Sequence, residues 1–304
     1  MLRLPPLGIG CAAMSIVSPE TDDEAVENLL VHAVEQGVRY LDVAPLYGGG
    51  RGEVLIGRAL SRVSVPVVVS TKVGYAGLIP YGGRQALADR RKDFSRSAIE
   101  RGIADSLRRL NRDHIDIVYL HDPSGDLDDI TSVTLATLED LRRQGLIRGI
   151  GAGVTNVALA NAVLERLPIA FLLLAGRYTL LDRTGEAVID RCRSMGVQLV
   201  AGGVFNSGLL AATRPASGGN FDYAPAQPEI LRRADAADRL CGAAGVPLKA
   251  AALQFARRHS GTATTLLGPR TKLEFDELMQ LLAFPVPQSL WDELDCLDYR
   301  ETPT

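Results

Sequence analysis

Four side chains in the first 121 residues can do proton chemistry together: Asp42, Tyr47, Lys72 and His121. Asp42 closes the apolar run Val38-Arg39-Tyr40-Leu41-Asp42. The turn after it, Val43-Ala44-Pro45-Leu46-Tyr47-Gly48, presents a tyrosine between a proline and a glycine. Two later runs end in the same manner, Val67-Val68-Val69-Ser70-Thr71-Lys72 and Ile115-Asp116-Ile117-Val118-Tyr119-Leu120-His121. A tyrosine alone titrates near ~10, too high for an efficient acid or base at neutral pH. A nearby ammonium stabilises the phenolate and lowers that value. Lys72 can supply the ammonium, Asp42 can hold it and keep it charged, and a neutral His121 can orient a carbonyl or hydroxyl oxygen. The group contains neither nucleophile nor metal. It suits hydride transfer, in which a cofactor does the redox chemistry and the protein moves the proton. Taken singly, each residue has a plainer reading: a helix cap, a packed ring, a solvated amine, a structural imidazole. Their coincidence at the ends of consecutive strands is what joins them.

The elements that must position them alternate regularly. Leu7-Gly8-Ile9-Gly10 reads as a first strand. A helix capped by Thr21 or Asp22 runs to about Gln36, with Ala25, Val26, Leu29, Leu30 and Ala33 on one face and Gly37 as its stop. After the Asp42 strand comes a helix near Glu53 to Ser61, then the Lys72 strand. The segment 74–93 has little periodicity and several Gly and Pro, and a loop of that length in a compact domain is more often functional than incidental. A helix capped by Ser95 runs to Leu110 and precedes the His121 strand. Beyond it, helices are expected over 130–144, 156–167, 186–195, 229–244 and 248–259, and strands over 147–153, 168–174, 197–201 and 262–267. A second long loop spans 202–228. Helices near 272–282 and 288–297 end the chain.

Eight short, β-branched runs, apolar on both faces, are the mark of buried parallel strands. Their alternation with helices predicts one α/β domain over 1–304, a closed (β/α)8 TIM barrel with extra C-terminal helices. An open doubly wound sheet is the competing architecture, and it calls for a GxGxxG turn after the first strand. Gly8-Ile9-Gly10-Cys11-Ala12-Ala13 lacks the third glycine.

Composition narrows the function classes. The chain of 304 residues is 46% hydrophobic and 23% charged, a globular profile with a sizeable core. A net charge of −3 leaves no basic footprint for nucleic acid or an anionic membrane. No apolar run approaches the ~20 residues of a transmembrane helix. Met1-Leu2-Arg3-Leu4-Pro5-Pro6 is too short and proline-rich for a signal peptide, so a cytoplasmic protein is expected. Cys11, Cys192, Cys241 and Cys296 form no CxxC pair and read as reduced thiols. They and the four histidines lack metal-ligand spacing, so no metal site is expected.

At the strand ends the chain resembles the aldo-keto reductase family. The resemblance rests on Gly37-Val38-Arg39-Tyr40-Leu41-Asp42-Val43-Ala44-Pro45-Leu46-Tyr47-Gly48, Ser70-Thr71-Lys72, Tyr119-Leu120-His121 and Gly153-Val154-Thr155-Asn156, and extends over essentially the whole chain. It implies a (β/α)8 barrel and an NAD(P)-dependent oxidoreductase. It implies Tyr47 as acid/base, Lys72 and Asp42 as its tuning pair and His121 as orienter. For the cofactor it implies Gly10, Cys11 and Ala12 near the nicotinamide ribose, with Asp42 counted in the same set. Thr155 and Asn156 would lie by the carboxamide, and Phe205, Asn206, Ser207, Gly208 and Leu209 over the pyrophosphate. Gly268, Arg270, Asp276 and Glu277 would lie near the adenosine. The family often has Gln where Ala175 stands and a stacking aromatic where Gly202 stands, so both nicotinamide contacts are missing here; Phe205 could substitute. NADP-preferring members often carry cations where Leu267 and Leu273 stand, which favours NAD over NADP.

Leu120-His121-Asp122-Pro123, Gly176-Arg177-Tyr178-Thr179-Leu180-Leu181, Phe205-Asn206-Ser207-Gly208 and Phe221-Asp222-Tyr223 resemble a subgroup acting on aldoses at C1 (L-fucose, D-arabinose or L-galactose type) or on pyridoxal. These substrates exist as cyclic hemiacetals, and oxidation at the hemiacetal carbon gives a lactone. Asp122 could accept hydrogen bonds from sugar hydroxyls, or serve only as a turn residue before Pro123. Tyr75, Tyr81 and Arg84 are candidates for the substrate wall, with Tyr47 and His121 also facing substrate. Three other readings stand beside an aldose dehydrogenase: a general aldehyde or ketone reductase, a Schiff-base aldolase on Lys72, and a non-catalytic cofactor-binding subunit. The expected partner is a small molecule; the oligomeric state stays open.

Overall fold

The computed structural model describes residues 2–16, 22–76, 91–123, 127, 130–212, 215, 219–222 and 224–297. Eight parallel strands close into a barrel. In chain order they are β1 (Leu7–Gly10), β2 (Tyr40–Asp42), β3 (Val68–Val73), β4 (Ile115–His121), β5 (Ile147–Val154), β6 (Phe171–Ala175), β7 (Gln198–Gly202) and, after a two-residue ribbon β8 (Asn220–Phe221) and β9 (Ala224–Pro225), β10 (Thr262–Leu267). β10 pairs with β7 on one side and β1 on the other, and β1 pairs with β2, which completes the ring. A helix follows most strands, and the capping signals lie where the chain needs them. Asp22 accepts from Glu24 N, Ser95 from Ala98 N and Asn156 from Leu159 N.

Alternation along each strand separates two cores. Leu41, Val118, Leu120, Leu172, Leu174, Leu199 and Leu267 point outward into the layer shared with the helices. Tyr40, Ile117, Tyr119, Phe171, Leu173, Val200 and Leu266 form a separate cluster, which fills the inside of the barrel. Glycine makes room for its large rings. A Cβ on Gly8 would meet the Tyr40 ring at 2.6 Å, and one on Gly151 the Phe171 carbonyl at 2.6 Å and the Tyr119 ring at 2.7 Å.

Carrying the inward set two residues further along each strand gives the side chains at the C-terminal mouth. On β2, β3 and β4 they are Asp42, Lys72 and His121. On β1, β5, β6 and β7 they are Gly10, Gly153, Ala175 and Gly202, with Gly268 just past β10. Three strand ends of the mouth therefore carry polar groups and the other five form a floor of small residues.

Several features lie outside the expected pattern. A short helix, Ala12–Ile16, follows β1 at once. A π-turn, Ile130–Leu135, leads into the helix Ala136–Arg143. The loop after β7 contains the β8–β9 ribbon. The segment after β3 is closed at its base by an antiparallel bridge between Tyr75 and Lys92. Tyr81, Arg84, Tyr223 and Thr21 lie outside the described residues. Among the described residues no helix is long and apolar enough to cross a membrane, and no cluster of His, Cys, Asp and Glu could hold a metal ion.

Candidate active site

The site is built from the ends of β2, β3 and β4. Register places Asp42 opposite Ser70 and Lys72 opposite Tyr119. Lys72 Nζ donates to Asp42 Oδ2 at 2.8 Å and to the carbonyl of Val43 at 2.9 Å. Ser70 Oγ donates to the other carboxylate oxygen, Oδ1, at 2.6 Å. Asp42 and Lys72 are both buried, at 3% and 2% exposure. Burial by itself lowers the lysine pKa, but Asp42 and Tyr47 outweigh it and raise it to about 12. Lys72 is thus a fixed cation.

The polar chain continues into the barrel. Tyr40 and Tyr119, both fully buried, share a hydrogen bond of 3.1 Å, and Tyr40 Oη lies 3.0 Å from Ser70 Oγ. Burial raises both phenols well above their ordinary pKa, so they stay neutral as hydrogen-bonding groups beneath Asp42.

Tyr47 opens a 3-10 turn, Tyr47–Gly50, in which Gly48, Gly49 and Gly50 have φ of 63°, 62° and 90°. Such a left-handed run favours glycine. At Gly48 space is also decisive, since a Cβ there would meet the Ser15 carbonyl at 2.5 Å. The turn brings the Tyr47 ring to Lys72, whose Nζ lies 4.8 Å from the ring centroid. His121 stands edge-on to Tyr47 with centroids 6.1 Å apart, and Tyr75 stands edge-on to His121 at 5.0 Å. A cavity of about 280 Å³ adjoins the cluster, and Lys72, Tyr75, His121, Asp93, Arg101 and Asp105 are among the residues that line it. Asp42, Tyr47, Lys72, His121 and Tyr75 are therefore brought together.

Asp122 continues β4 in a left-handed turn, with φ 45°. Its N–H donates to Gly153 O at 2.8 Å, and Thr155 N–H donates to its carboxylate. Burial raises that carboxyl's pKa, with Lys92 and Lys72 acting the other way.

The remaining residues ring the rest of the mouth. Cys11 N–H donates to Asp42 O at 2.8 Å, and the buried Cys11 thiol is pushed up by burial and by the charge of Asp42. Asn156 spends its side-chain oxygen on the helix cap, and Thr155 O accepts from Arg177 Nε at 2.6 Å. Arg177 also binds Asp182 at 2.8 Å and Asp222, which ties the loop after β6 to the β8–β9 ribbon.

After β7, Asn206, Ser207 and Gly208 are left-handed in succession, at φ 46°, 57° and 93°. Phe205 and Leu209 pack onto the outer core. Asn206 is 2% exposed, and neither atom of its amide has a protein partner among the described residues. An orphaned buried amide is costly unless a ligand or water satisfies it. Together with the floor of Gly10, Gly153, Ala175, Gly202 and Gly268, it fits a flat ligand with a polar tail. A Cβ on Gly202 would sit in ordinary contact, 3.6 Å from Ala175.

Past β10 the charged candidates are engaged within the protein. Asp276 accepts from His32 Nε2 at 2.6 Å, Glu277 pairs with Lys249 at 2.7 Å, and Arg270 is bound through N–H and guanidinium by Glu274.

Ser70 and Lys92 were missed by sequence reasoning. Ser70 was within reach of it, since it alternates with Lys72 and so shares the inward face. Lys92 carried no local signal.

The Aldo/keto reductase family model matches residues 6–298. The chain is 33% identical to the D-threo-aldose 1-dehydrogenase of Pseudomonas sp, over 96% of this chain and 94% of that protein. It is 32% identical to the pyridoxal 4-dehydrogenase of Microbacterium luteolum, over 96% and 94%. Among solved structures, the holo form of an aldo-keto reductase from Bacillus halodurans is similar with a TM-score of 0.76 at 26% identity, covering 97% of this chain and 95% of that one.

Proposed function

The chain belongs to the aldo/keto reductase family and is an oxidoreductase; on that footing we propose that it oxidises the hemiacetal carbon of an aldose to a lactone with NAD. The aldose is of the L-fucose, D-arabinose or L-galactose type. Support for a sugar comes from the likeness to D-threo-aldose 1-dehydrogenase over nearly the full length of both chains.

The observation that carries the chemistry is the fixed ammonium of Lys72 against Tyr47, with His121 edge-on to the same ring. Oxidation removes a hydride from the hemiacetal carbon and a proton from its hydroxyl. A bound nicotinamide dinucleotide supplies the hydride acceptor. The proton passes to Tyr47 Oη, and the phenolate that accepts it is favoured by Lys72 at its face. His121 orients the hydroxyl oxygen. Asp42, Ser70 and the Val43 carbonyl hold Lys72 still, so nothing needs to reorganise as charge moves.

The cofactor residues on this reading are Gly10, Cys11, Ala12, Asp42, Thr155 and Asn156 at the nicotinamide side. Phe205, Asn206, Ser207 and Leu209 serve the pyrophosphate, and Gly268, Arg270, Asp276 and Glu277 the adenosine side. NAD is preferred over NADP because Leu267 and Leu273 are apolar and Arg270 is already neutralised by Glu274. A 2′-phosphate finds no cation at either of those two leucine positions. A second reading, oxidation of pyridoxal, is favoured by the likeness to pyridoxal 4-dehydrogenase. A Schiff-base aldolase is disfavoured, because it needs a neutral amine on Lys72 and that group is held charged.

The test is a panel of L-fucose, D-arabinose, L-galactose and pyridoxal, each with NAD and with NADP, followed by absorbance of the reduced cofactor. Turnover of an aldose with NAD is expected. Turnover of pyridoxal alone would move the assignment to the second reading, and no sugar turnover would end the first. Tyr47→Phe is expected to bind NAD within about twofold of wild type while kcat falls roughly 10²- to 10⁴-fold; comparable turnover would remove Tyr47 from its role.

A further inference from the structure

We propose that Lys92 is a positioning residue that holds His121 and Tyr75 in place by joining the base of the loop after β3 to the end of β4. The inference rests on the reading of His121 as the group that orients substrate oxygen.

Three independent contacts meet at Lys92. The first is with β4: Lys92 Nζ donates to the backbone carbonyl of Asp122, the residue next to His121. Asp122 is already held from the other side, through its N–H to Gly153 at 2.8 Å. Its left-handed backbone, φ 45°, is uncommon for an aspartate and persists only where the surroundings impose it. The ammonium supplies one of those constraints, at the carbonyl of the residue that directly follows His121.

The second contact is with Tyr75. Lys92 Nζ lies 5.3 Å from the centroid of that ring, within reach of a cation–π attraction. The same ring meets His121 edge-on at 5.0 Å and 89°. Lys92 therefore touches both the backbone of the residue that follows His121 and the ring that stands against its imidazole.

The third contact is through the backbone. Tyr75 and Lys92 face each other in an antiparallel bridge, flanked by Ala76 N–H to Arg91 O and Asp93 N–H to Gly74 O, both 2.9 Å. The first arm of this base leaves β3 after Val73, and the second leads into the helix capped by Ser95. The bridge sets where the Lys92 side chain starts, and its amine reaches across to β4. One residue thus couples the base of the substrate-side loop to the strand end that carries the orienting imidazole. The half-buried amine is shifted down by burial, with the carboxylate of Asp122 opposing that shift.

Lys92→Met removes the charge and the donor while keeping the length of the stem, and Lys92→Arg keeps both charge and donor. With whichever carbonyl or hydroxyl substrate the wild type turns over, Lys92→Met is expected to lose roughly 10- to 100-fold in kcat, the cost of a misplaced catalytic group. NAD affinity should stay within about twofold, because the Lys92 side chain meets Asp122 and Tyr75 and none of the small residues of the floor, and Lys92→Arg should recover most of the loss.

The direct readout is the imidazole NMR spectrum without substrate. The chain has four histidines, and the His121 signal is identified by its loss in His121→Asn. In Lys92→Met that signal should move while those of His32, His114 and His259 stay. If Lys92→Met folds poorly, Lys92→Gln carries the same measurement. An unmoved His121 signal with unchanged kcat overturns the proposal. So does an equal loss in Lys92→Met and Lys92→Arg with the signal unmoved, which is the result of a merely structural role. Because the spectrum needs no substrate, failure of the aldose assignment leaves this test intact.

Discussion

At the scale of single residues, the decisive quantity is the charge on Lys72. Its neighbours overcome the burial that opposes them. Removing that charge by Lys72→Met is expected to raise the pKa of the Tyr47 phenol, since the phenolate loses its cation. A base that must be ionised to accept a proton then works only at higher pH. The rate of oxidation at neutral pH should fall roughly 10²-fold or more, and the optimum of kcat should move to the alkaline side. A pH profile that falls without moving would assign Lys72 to structure alone. The same pair has a stability signature of known sign. The folded pKa of about 12 lies above the reference value of 10.5. The contribution is therefore fully present below about 10.5 and is lost as pH rises through about 12. Thermal melts of the wild type should drop across that window more steeply than those of Lys72→Met.

At the scale of elements, the strands position the site because their inward faces are graded. Large rings fill the middle of the barrel, polar groups stand above them on β2 to β4, and small residues stand above them elsewhere. β5 shows how tight the arrangement is. A methyl group at position 151 would fall against the Phe171 carbonyl and the Tyr119 ring. Tyr119 in turn supports Tyr40 and, through Ser70, Asp42. Gly151→Ala is expected to cost about 1–3 kcal/mol, the usual penalty for overpacking a filled core. Urea denaturation measures it, and a change below a few tenths of a kcal/mol would show that the barrel interior can yield there.

At the scale of the whole molecule the two ends of the barrel do different work. The C-terminal mouth holds the groups proposed to move the proton. The opposite end holds Asp116, a buried carboxylate that accepts from Val69 N–H at 2.9 Å, Arg112 at 3.1 Å and Arg148 at 3.0 Å, joining β3, β4 and β5. Asp116→Ala leaves two guanidinium groups and a backbone N–H without it. A loss of about 1–3 kcal/mol is expected, chiefly from the buried Val69 N–H left without its acceptor, since Arg148 and Arg112 keep access to solvent. The protein that remains folded should keep its kcat and its NAD affinity. A specific loss of catalysis in folded protein would contradict this separation of ends.

How much of this was legible in the chain follows from the range of the interactions. The helix over 96–110 with its Ser95 cap, the Asn156 cap and the Gly196 stop depend on neighbours a few residues away, and short-range chemistry is written locally. Strand ends carrying Asp42, Lys72 and His121 are legible for the same reason, because alternation alone decides which side chains share a face. The barrel itself follows from the repeated alternation of strand and helix.

What only the tertiary structure decided depends on chain closure. His32 finds Asp276 across 244 residues, so that carboxylate is engaged within the protein in a way its own neighbourhood did not announce. Glu274 and Lys249 likewise claim Arg270 and Glu277. Asn206 is a cofactor candidate by resemblance alone until packing buries its amide without a partner among the described residues. Lys92 reads as a loop lysine until the ring of strands brings β4 beside the base of its loop. Residue types and local periodicity determined which groups could take part and on which face each would stand. Closing the barrel determined which of them meet, because a contact between distant segments exists only once the strands between them have fixed the distance.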